Sequence, residues 1–395
     1  MKYRNIIVFL IIAAIFGGLF IRYAYRAPKR HYCDFRVYYK TGERFLAKED
    51  IYARPDESIT PFKYSPMFAM LVSPLALLPP KAASLVFFTI NFAALLIVFI
   101  LSRRLIVHDK ISFKESIFLY VLSAVFSVRF ILHALDSGQV GIIMLALVLM
   151  ALYFLHKKKD VISAGFMAFS IMFKYASGIF LPYFAMRKKI KFVALVVVFI
   201  LLYCLLPAVY VGMEKETSYV KSWIPFISRT SFDRASLYDY KNQSLPALVL
   251  RYFTADTPYN ISVLNLTFNQ GIILALAAGL IIYMFIIYPK TNAPLASLDY
   301  SLLLLAMVLF NPNAWMHNFV AVIFAYMALF HCLIKTNFKD RFTLFFVLLS
   351  FALLTLSSET FIGDNLEGVL EKFSVATIGM LVLMVPLFRL KYKRN

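Results

Sequence analysis

The sequence predicts an all-α polytopic membrane protein, and three observations predict it. Hydrophobic residues fill 61% of the 395 positions and charged ones 16%, more apolar material than a water-soluble core needs. The apolar residues come in runs long enough to cross a bilayer, which takes about 20 residues as a helix. The 41 Lys and Arg, against 21 Asp and Glu, sit in short clusters between those runs, as at the cytoplasmic ends of membrane helices. The charge of +20 is thereby accounted for without a nucleic-acid partner.

Full helices are expected near 5 to 25, 82 to 102, 116 to 134, 138 to 156, 192 to 212, 268 to 288, 317 to 334, 341 to 357 and 374 to 390. The first follows Met1-Lys2-Tyr3-Arg4; its apolar stretch is too long for a signal peptide and no small-residue cleavage site follows, so it reads as a retained helix. Residues 161 to 186 lie between Lys157-Lys158-Lys159 and Arg187-Lys188-Lys189, so both ends belong on the cytoplasmic side and the stretch must enter and return. It is too short for two full spans. Two short helices meeting near Lys174 are expected, with Gly178 and Pro182 loosening the second.

Residues 298 to 311 read as a shorter outward helix ended by Asn311-Pro312-Asn313. Residues 64 to 80 are apolar but bounded by prolines, which suits a half-inserted or interfacial helix. No repeat or separate soluble domain is evident, so residues 1 to 395 form one membrane domain of about twelve transmembrane crossings with both termini cytoplasmic. The loops on that side hold about twenty-one Lys and Arg against about five acids. Residues 26 to 80 and 213 to 267 then become two long extracytoplasmic loops, too rich in Tyr, Phe and Trp to be disordered. The three cysteines, Cys33, Cys204 and Cys332, are too scattered for a disulfide framework, and no metal site or other cofactor is suggested.

Four ionisable residues stand in or beside apolar runs. Arg129, His133 and Asp136 share one helical face at i, i+4 and i+7, just before Gly138-Gln139, and Lys174 interrupts another run. Charges at membrane depth usually face a water-filled cavity or one another and mark function. The predicted topology gathers further groups on the outer side: Asp34, Arg36, Tyr38, Tyr39 and Lys63 from the first loop, Asn242, Gln243, Ser244 and Arg251 from the second, and Trp315 and His317 from a later turn. Cations there, Lys174, Arg129 and Arg251, suit an anionic lipid headgroup through charge-assisted hydrogen bonds. A carboxylate at the same mouth suits a general base. Tyr32, Phe35, Tyr38, Tyr39, Tyr64 and Trp315 offer flat faces that pack on a sugar ring.

Plainer readings stand beside these. Asp34 lies among Lys29, Arg30 and Arg36 and would serve equally as a solvated salt-bridge partner. Arg129, His133 and Asp136 would also make an internal charge network that only holds helices together. Arg251 would anchor at headgroups, His317 would be a satisfied interface residue, and the tyrosines and tryptophans an aromatic belt. The sequons at Asn242, Asn260 and Asn265 matter only in a glycosylating secretory pathway.

At these residues the chain resembles glycosyltransferase family 87 of the C-type membrane glycosyltransferase superfamily, which includes polyprenol-phosphate-mannose-dependent mannosyltransferases. The resemblance rests on Asp34-Phe35, Tyr38-Tyr39, Gly42 and Tyr52, then Phe62-Lys63-Tyr64-Ser65-Pro66 and Pro74 to Pro79. It continues through Gly138-Gln139-Val140, Ala164-Gly165 leading to Lys174, Asn242-Gln243-Ser244-Leu245 leading to Arg251, and Trp315-Met316-His317. The chain departs from the family's usual pattern at Gly141, at Tyr175-Ala176-Ser177 and at Ser65-Pro66, where asparagine, proline and a second proline are common. The resemblance implies inverting transfer of a hexose, mannose above others, from a polyprenyl-phosphate donor to an extracytoplasmic lipid or glycan acceptor at a bacterial cytoplasmic membrane. Asp34 would be the base, His317 and Lys174 would steady the leaving phosphate, and Gln139, Arg251, Tyr38, Tyr64, Asn242, Gln243 and Trp315 would position substrates.

Two other classes compete. A secondary transporter or lipid flippase also uses buried charges and a broken hairpin, but residues 1 to 190 and 191 to 395 show no matching halves. A non-enzymatic assembly subunit explains the helices and leaves the polar groups idle. The enzymatic reading requires Asp34 and Lys174 to share one pocket.

Overall fold

The computed structural model describes residues 2–30, 34–53, 61–288 and 296–393; Tyr32 and Cys33 lie outside them. Every regular element described is helical, and the one β-like pairing is a single bridge between Thr254 and Leu266. Five helices are long and apolar enough to span by themselves: Pro80–Ile106, Ile190–Val211, Phe268–Ile287, Met316–Lys335 and Val375–Tyr392. A sixth forms if Phe113–Phe126 and Val128–Ser137, bent by 64° at their junction, count as one.

The remaining apolar elements are shorter than a full span. Gly141–His156, Asp160–Phe173, Ala296–Leu309 and Arg341–Leu356 hold 14 to 16 residues. At 1.5 Å per residue they run about 21 to 24 Å, short of a hydrocarbon core of about 30 Å.

The helix Val322–Lys335 is the centre of the bundle. It packs on Phe113–Phe126, Ala296–Leu309 and Pro80–Ile106, and 89% of its spanning window is buried. Ile190–Val211 lies at the rim with 17% buried, and Leu201, Leu202 and Leu205 stand half exposed. An apolar face of that size left open suits lipid rather than water.

The 64° bend is built without proline. The chain turns at Ser127 (φ −109°, ψ 4°), which frees the Phe126 carbonyl from its helical partner. Thr355 Oγ1 donates to that oxygen at 2.8 Å, so the break leaves it satisfied. The bend tilts Val128–Ser137, the element that bears Arg129, His133 and Asp136.

Two short helices do meet near Lys174. Asp160–Phe173 stops at Lys174, whose backbone is extended (φ −154°, ψ 115°), and Tyr175–Ile179 and Phe180–Met186 return. Both long loops hold helices of their own. Phe35–Leu46 buries Phe35, Tyr38, Tyr39 and Phe45 and lies so close to the turn Ser73–Leu77 that a Cβ at Gly42 would meet Ser73 Cα at 3.1 Å. Residues 66 to 77 form the short proline-bounded helix expected there. The second loop folds as Met213–Ser231, Arg234–Tyr238 and Leu245–Phe253.

Candidate active site

Three local devices bring the first loop, the bent helix and the hairpin to one place. Ser65 caps Pro66–Val72, accepting from Phe68 N–H at 3.3 Å, and its hydroxyl donates to the Met172 carbonyl at 2.7 Å, two residues before Lys174. Gly138 ends the bent helix in the left-handed region (φ 64°), and a Cβ there would stand 3.0 Å from Phe35 Cβ. Glycine thus permits both the turn and the close approach. Gly141 lies against the Met316–Ala321 turn, where a Cβ would meet the His317 carbonyl at 3.0 Å.

The result is a cavity of about 990 Å³ lined by Asp34, Tyr38, Lys63, Tyr64, Arg129, His133, Asp136, Gln139, Lys174, Trp315 and His317, among others. Asp34 and Lys174 share it, and the chain's two tryptophans, Trp223 and Trp315, both line it.

Asp34 stands at the N-cap of Phe35–Leu46, yet its carboxylate makes no capping bond. It accepts instead from Gln139 Nε2 at 2.5 Å. The far end of that amide is also fixed, because Gln139 Oε1 accepts from Tyr38 Oη at 3.1 Å and Tyr64 Oη at 3.4 Å, and the two hydroxyls lie 2.8 Å apart. A hydroxyl pair at one end and a carboxylate at the other set which way the amide faces. Burial pushes the Asp34 carboxyl above its ordinary value, while the Gln139 hydrogen bond and then Lys174 and Lys63 pull it back.

Across the cavity, Lys174 Nζ donates to Asn318 Oδ1 at 2.5 Å. His317 is buried, with its ring 6.1 Å from that of His133. The polar face of the bent helix divides its pairings. Asp136 binds Arg22 at 2.5 Å and Arg26 at 3.7 Å, both from the first helix. Arg129 pairs with Glu367, lies 3.8 Å from Glu371, and donates to Leu354 O at 2.8 Å and Ser357 Oγ at 3.1 Å. The face is therefore both a cavity wall and a brace between helices.

The second-loop residues go elsewhere. Asn242, Gln243 and Arg251 are fully buried and outside the cavity lining. Arg251 donates from Nε to Ser374 Oγ at 3.1 Å, from Nη1 to Asp239 O at 3.0 Å and from Nη2 to Asn242 O at 2.8 Å. Gln243 Nε2 donates to Tyr240 O and Glu371 O at 2.7 and 2.8 Å. Asn242 Nδ2 donates to Ser236 O and Pro312 O at 2.9 and 2.7 Å. These side chains hold backbone carbonyls and the Ser374 hydroxyl, a clamping position outside the cavity where they were expected to position substrate. Their neighbours Tyr240 and Lys241 do line the cavity.

A third connecting segment also contributes, beyond the two loops the sequence singles out. Residues 358 to 373 form Glu359–Ile362 and Asp364–Lys372, and Glu359, Asp364, Glu367 and Glu371 line the cavity. Glu371 is pushed up to about 7 by burial and by Glu367, against the pull of Arg129. The visible signal was a cluster of acids between two apolar runs, with Glu367 and Glu371 at i, i+4. Arg22 and Arg26 carried a similar signal at the end of the first helix. No group of three or more His, Cys, Asp or Glu among the described residues is arranged to hold a metal.

The fold and cavity define an integral membrane protein with a charged, aromatic-lined chamber against its helical bundle. The profile of glycosyltransferase family 87 matches residues 62–312, and the chain belongs to that family. It is a membrane glycosyltransferase. The matched segment includes Lys63, Tyr64, Gln139 and Lys174, while Asp34, Trp315 and His317 lie outside it and reach the same cavity through the fold. No curated protein and no solved structure matches the chain.

Proposed function

We propose that the protein transfers a hexose, with mannose the first candidate, from a polyprenyl-phosphate donor to a lipid or glycan acceptor on the extracytoplasmic face, with inversion at the anomeric carbon. One observation carries this reading: the Asp34 carboxylate and the Lys174 ammonium line a single cavity, together with Gln139 and His317. Asp34 accepts the proton of the acceptor hydroxyl, whose oxygen attacks the anomeric carbon from the side opposite the phosphate. The bond from that carbon to the phosphate oxygen breaks, and polyprenyl phosphate leaves as an anion. A phosphate needs cations more than it needs an acid, and Lys174 supplies one. His317 lies beside it as a hydrogen-bonding group for the same oxygens. A carboxyl raised by burial is a stronger base than an exposed one.

The reading places the cavity on the outer face. Asp160–Phe173 has Lys157, Lys158 and Lys159 before one end and the cavity's Lys174 at the other, and Val375–Tyr392 runs from beside the cavity's Lys372 to Lys391 and Lys393. Basic flanks mark the cytoplasmic side, which supports a cavity at the opposite face; about twelve membrane passages, several by short helices, in a bacterial inner membrane belong to the same proposal.

The test is reconstitution of purified protein in liposomes with radiolabelled polyprenyl-phosphate mannose, glucose or galactose and a membrane extract as acceptor source. Label passing from one of these donors into a new lipid or polymer is expected. Transfer from a nucleotide sugar and from none of the lipid donors overturns the reading.

A further inference from the structure

The lysine that lines the cavity is not free to choose its position. An ammonium has three donors, and Lys174 places one of them on Asn318 Oδ1 at 2.5 Å, which leaves two. Asn318 is buried, with 4% of its surface exposed, and is not part of the cavity lining. It stands behind the lysine.

The orientation of its amide is determined by what surrounds it. Asn318 Nδ2 donates to the Asn313 carbonyl at 3.1 Å, and a carbonyl can only accept. The amide NH₂ must therefore face Asn313, which turns the oxygen toward an ammonium that can only donate. The backbone holds the same pose, since Asn318 N–H donates to Trp315 O at 2.8 Å. Asn313 is tied in turn to the second loop through Ser236 Oγ, which donates to Asn313 Oδ1 at 2.6 Å. The turn that bears Asn318 also bears His317 and is seated on Gly141. A flexible four-carbon lysine stem is thus anchored at its tip by an amide whose own position is set by two further elements.

We propose that Asn318 is a positioning residue that fixes the Lys174 ammonium at the cavity wall, so that its two remaining donors meet the phosphate of the lipid donor. The inference rests on the donor reading above, and its test does not need the acceptor. Binding of a short-chain polyprenyl phosphate to purified protein in detergent is measured for wild type, Lys174→Ala, Asn318→Leu and the double variant, with thermal melting as a check on folding. Leu keeps the branched heavy-atom skeleton of Asn and removes both polar atoms; the smaller Asn318→Ala serves if Leu does not fold.

The Asn318 variants are expected to weaken binding roughly tenfold, the scale of one hydrogen bond to a charged group, and the double variant to bind no worse than Lys174→Ala alone. A role confined to local packing would instead give losses that multiply in the double variant, and that result, or wild-type binding by the Asn318 variants, overturns the inference. Wild-type binding by Lys174→Ala overturns the donor reading itself, and the inference with it.

Discussion

Two polar clusters of this protein are built from the same kinds of residue and end in opposite situations. Asp34, Gln139 and Lys174 come from a loop, a helix break and a hairpin tip, and all line the cavity with hydrogen-bonding capacity left over. Asn242, Gln243 and Arg251 come from one short stretch, and each of the three guanidinium nitrogens of the arginine donates to protein. A buried polar group with its partners in place stiffens a fold, whereas one left facing a cavity is available to a ligand. What separates chemistry from scaffolding here is whether the partners are already present.

The clamp still bears on the site at one remove. Gln243 holds the carbonyl of Glu371, Arg251 holds Ser374, and Tyr252 Oη donates to the Phe373 carbonyl at 3.0 Å. These bonds secure the end of Asp364–Lys372, the helix that places Glu367 and Glu371 on the cavity. Gln243, Arg251 and Tyr252 position a wall of the chamber without lining it.

The comparison is most sharply broken at Asp34. Asp34→Asn keeps the shape and removes the proposed base, so transfer is expected to fall by about 10² to 10⁴ with unchanged melting in detergent. Near-normal initial rates in that variant would move the base elsewhere. Next in size, Arg251→Leu leaves the buried Asn242 carbonyl and Ser374 hydroxyl without their donor and should cost about 3 kcal/mol of stability. Read as a lowered melting temperature, that loss should come with activity per folded molecule near wild type at low temperature; a stable but inactive variant would return Arg251 to the substrate site.

The smallest effect sharpens the first cluster. The Asp34 carboxyl is raised by burial and lowered in part by the Gln139 hydrogen bond. Since the base acts when deprotonated, activity rises with pH through its pKa, and the acid limb should lie above the ordinary carboxylate range. Gln139→Leu removes a lowering influence and should move that limb to higher pH, with the loss largest in acid. Rate profiles of kcat/KM against pH measure this, and a limb that stays in place would detach Gln139 from Asp34.

Much of the fold was legible because membrane helices announce themselves. The hairpin around Lys174 followed from two basic clusters too close for two spans, and the Pro66–Leu77 helix from its bounding prolines. The face of Arg129, His133 and Asp136 followed from helical spacing, and all three do line the cavity. The helix Phe35–Leu46 was missed because its mean polarity resembles a loop, although it buries one side. Asp364–Lys372 was missed for the same reason, with Asp364, Glu367, Glu371 and Lys372 among its nine residues and none buried.

By itself the sequence determined the class, since long apolar runs satisfy their backbone in hydrocarbon by folding as helices and charge clusters mark where they end. It also named the residues that would be costly to keep at depth. The tertiary structure alone decided which of them remain open to a substrate, because a hydrogen bond joins residues more than a hundred positions apart, as Gln139 joins Asp34 and Lys174 joins Asn318. Local spacing has no means of recording such a partner; only the packed bundle brings it within reach.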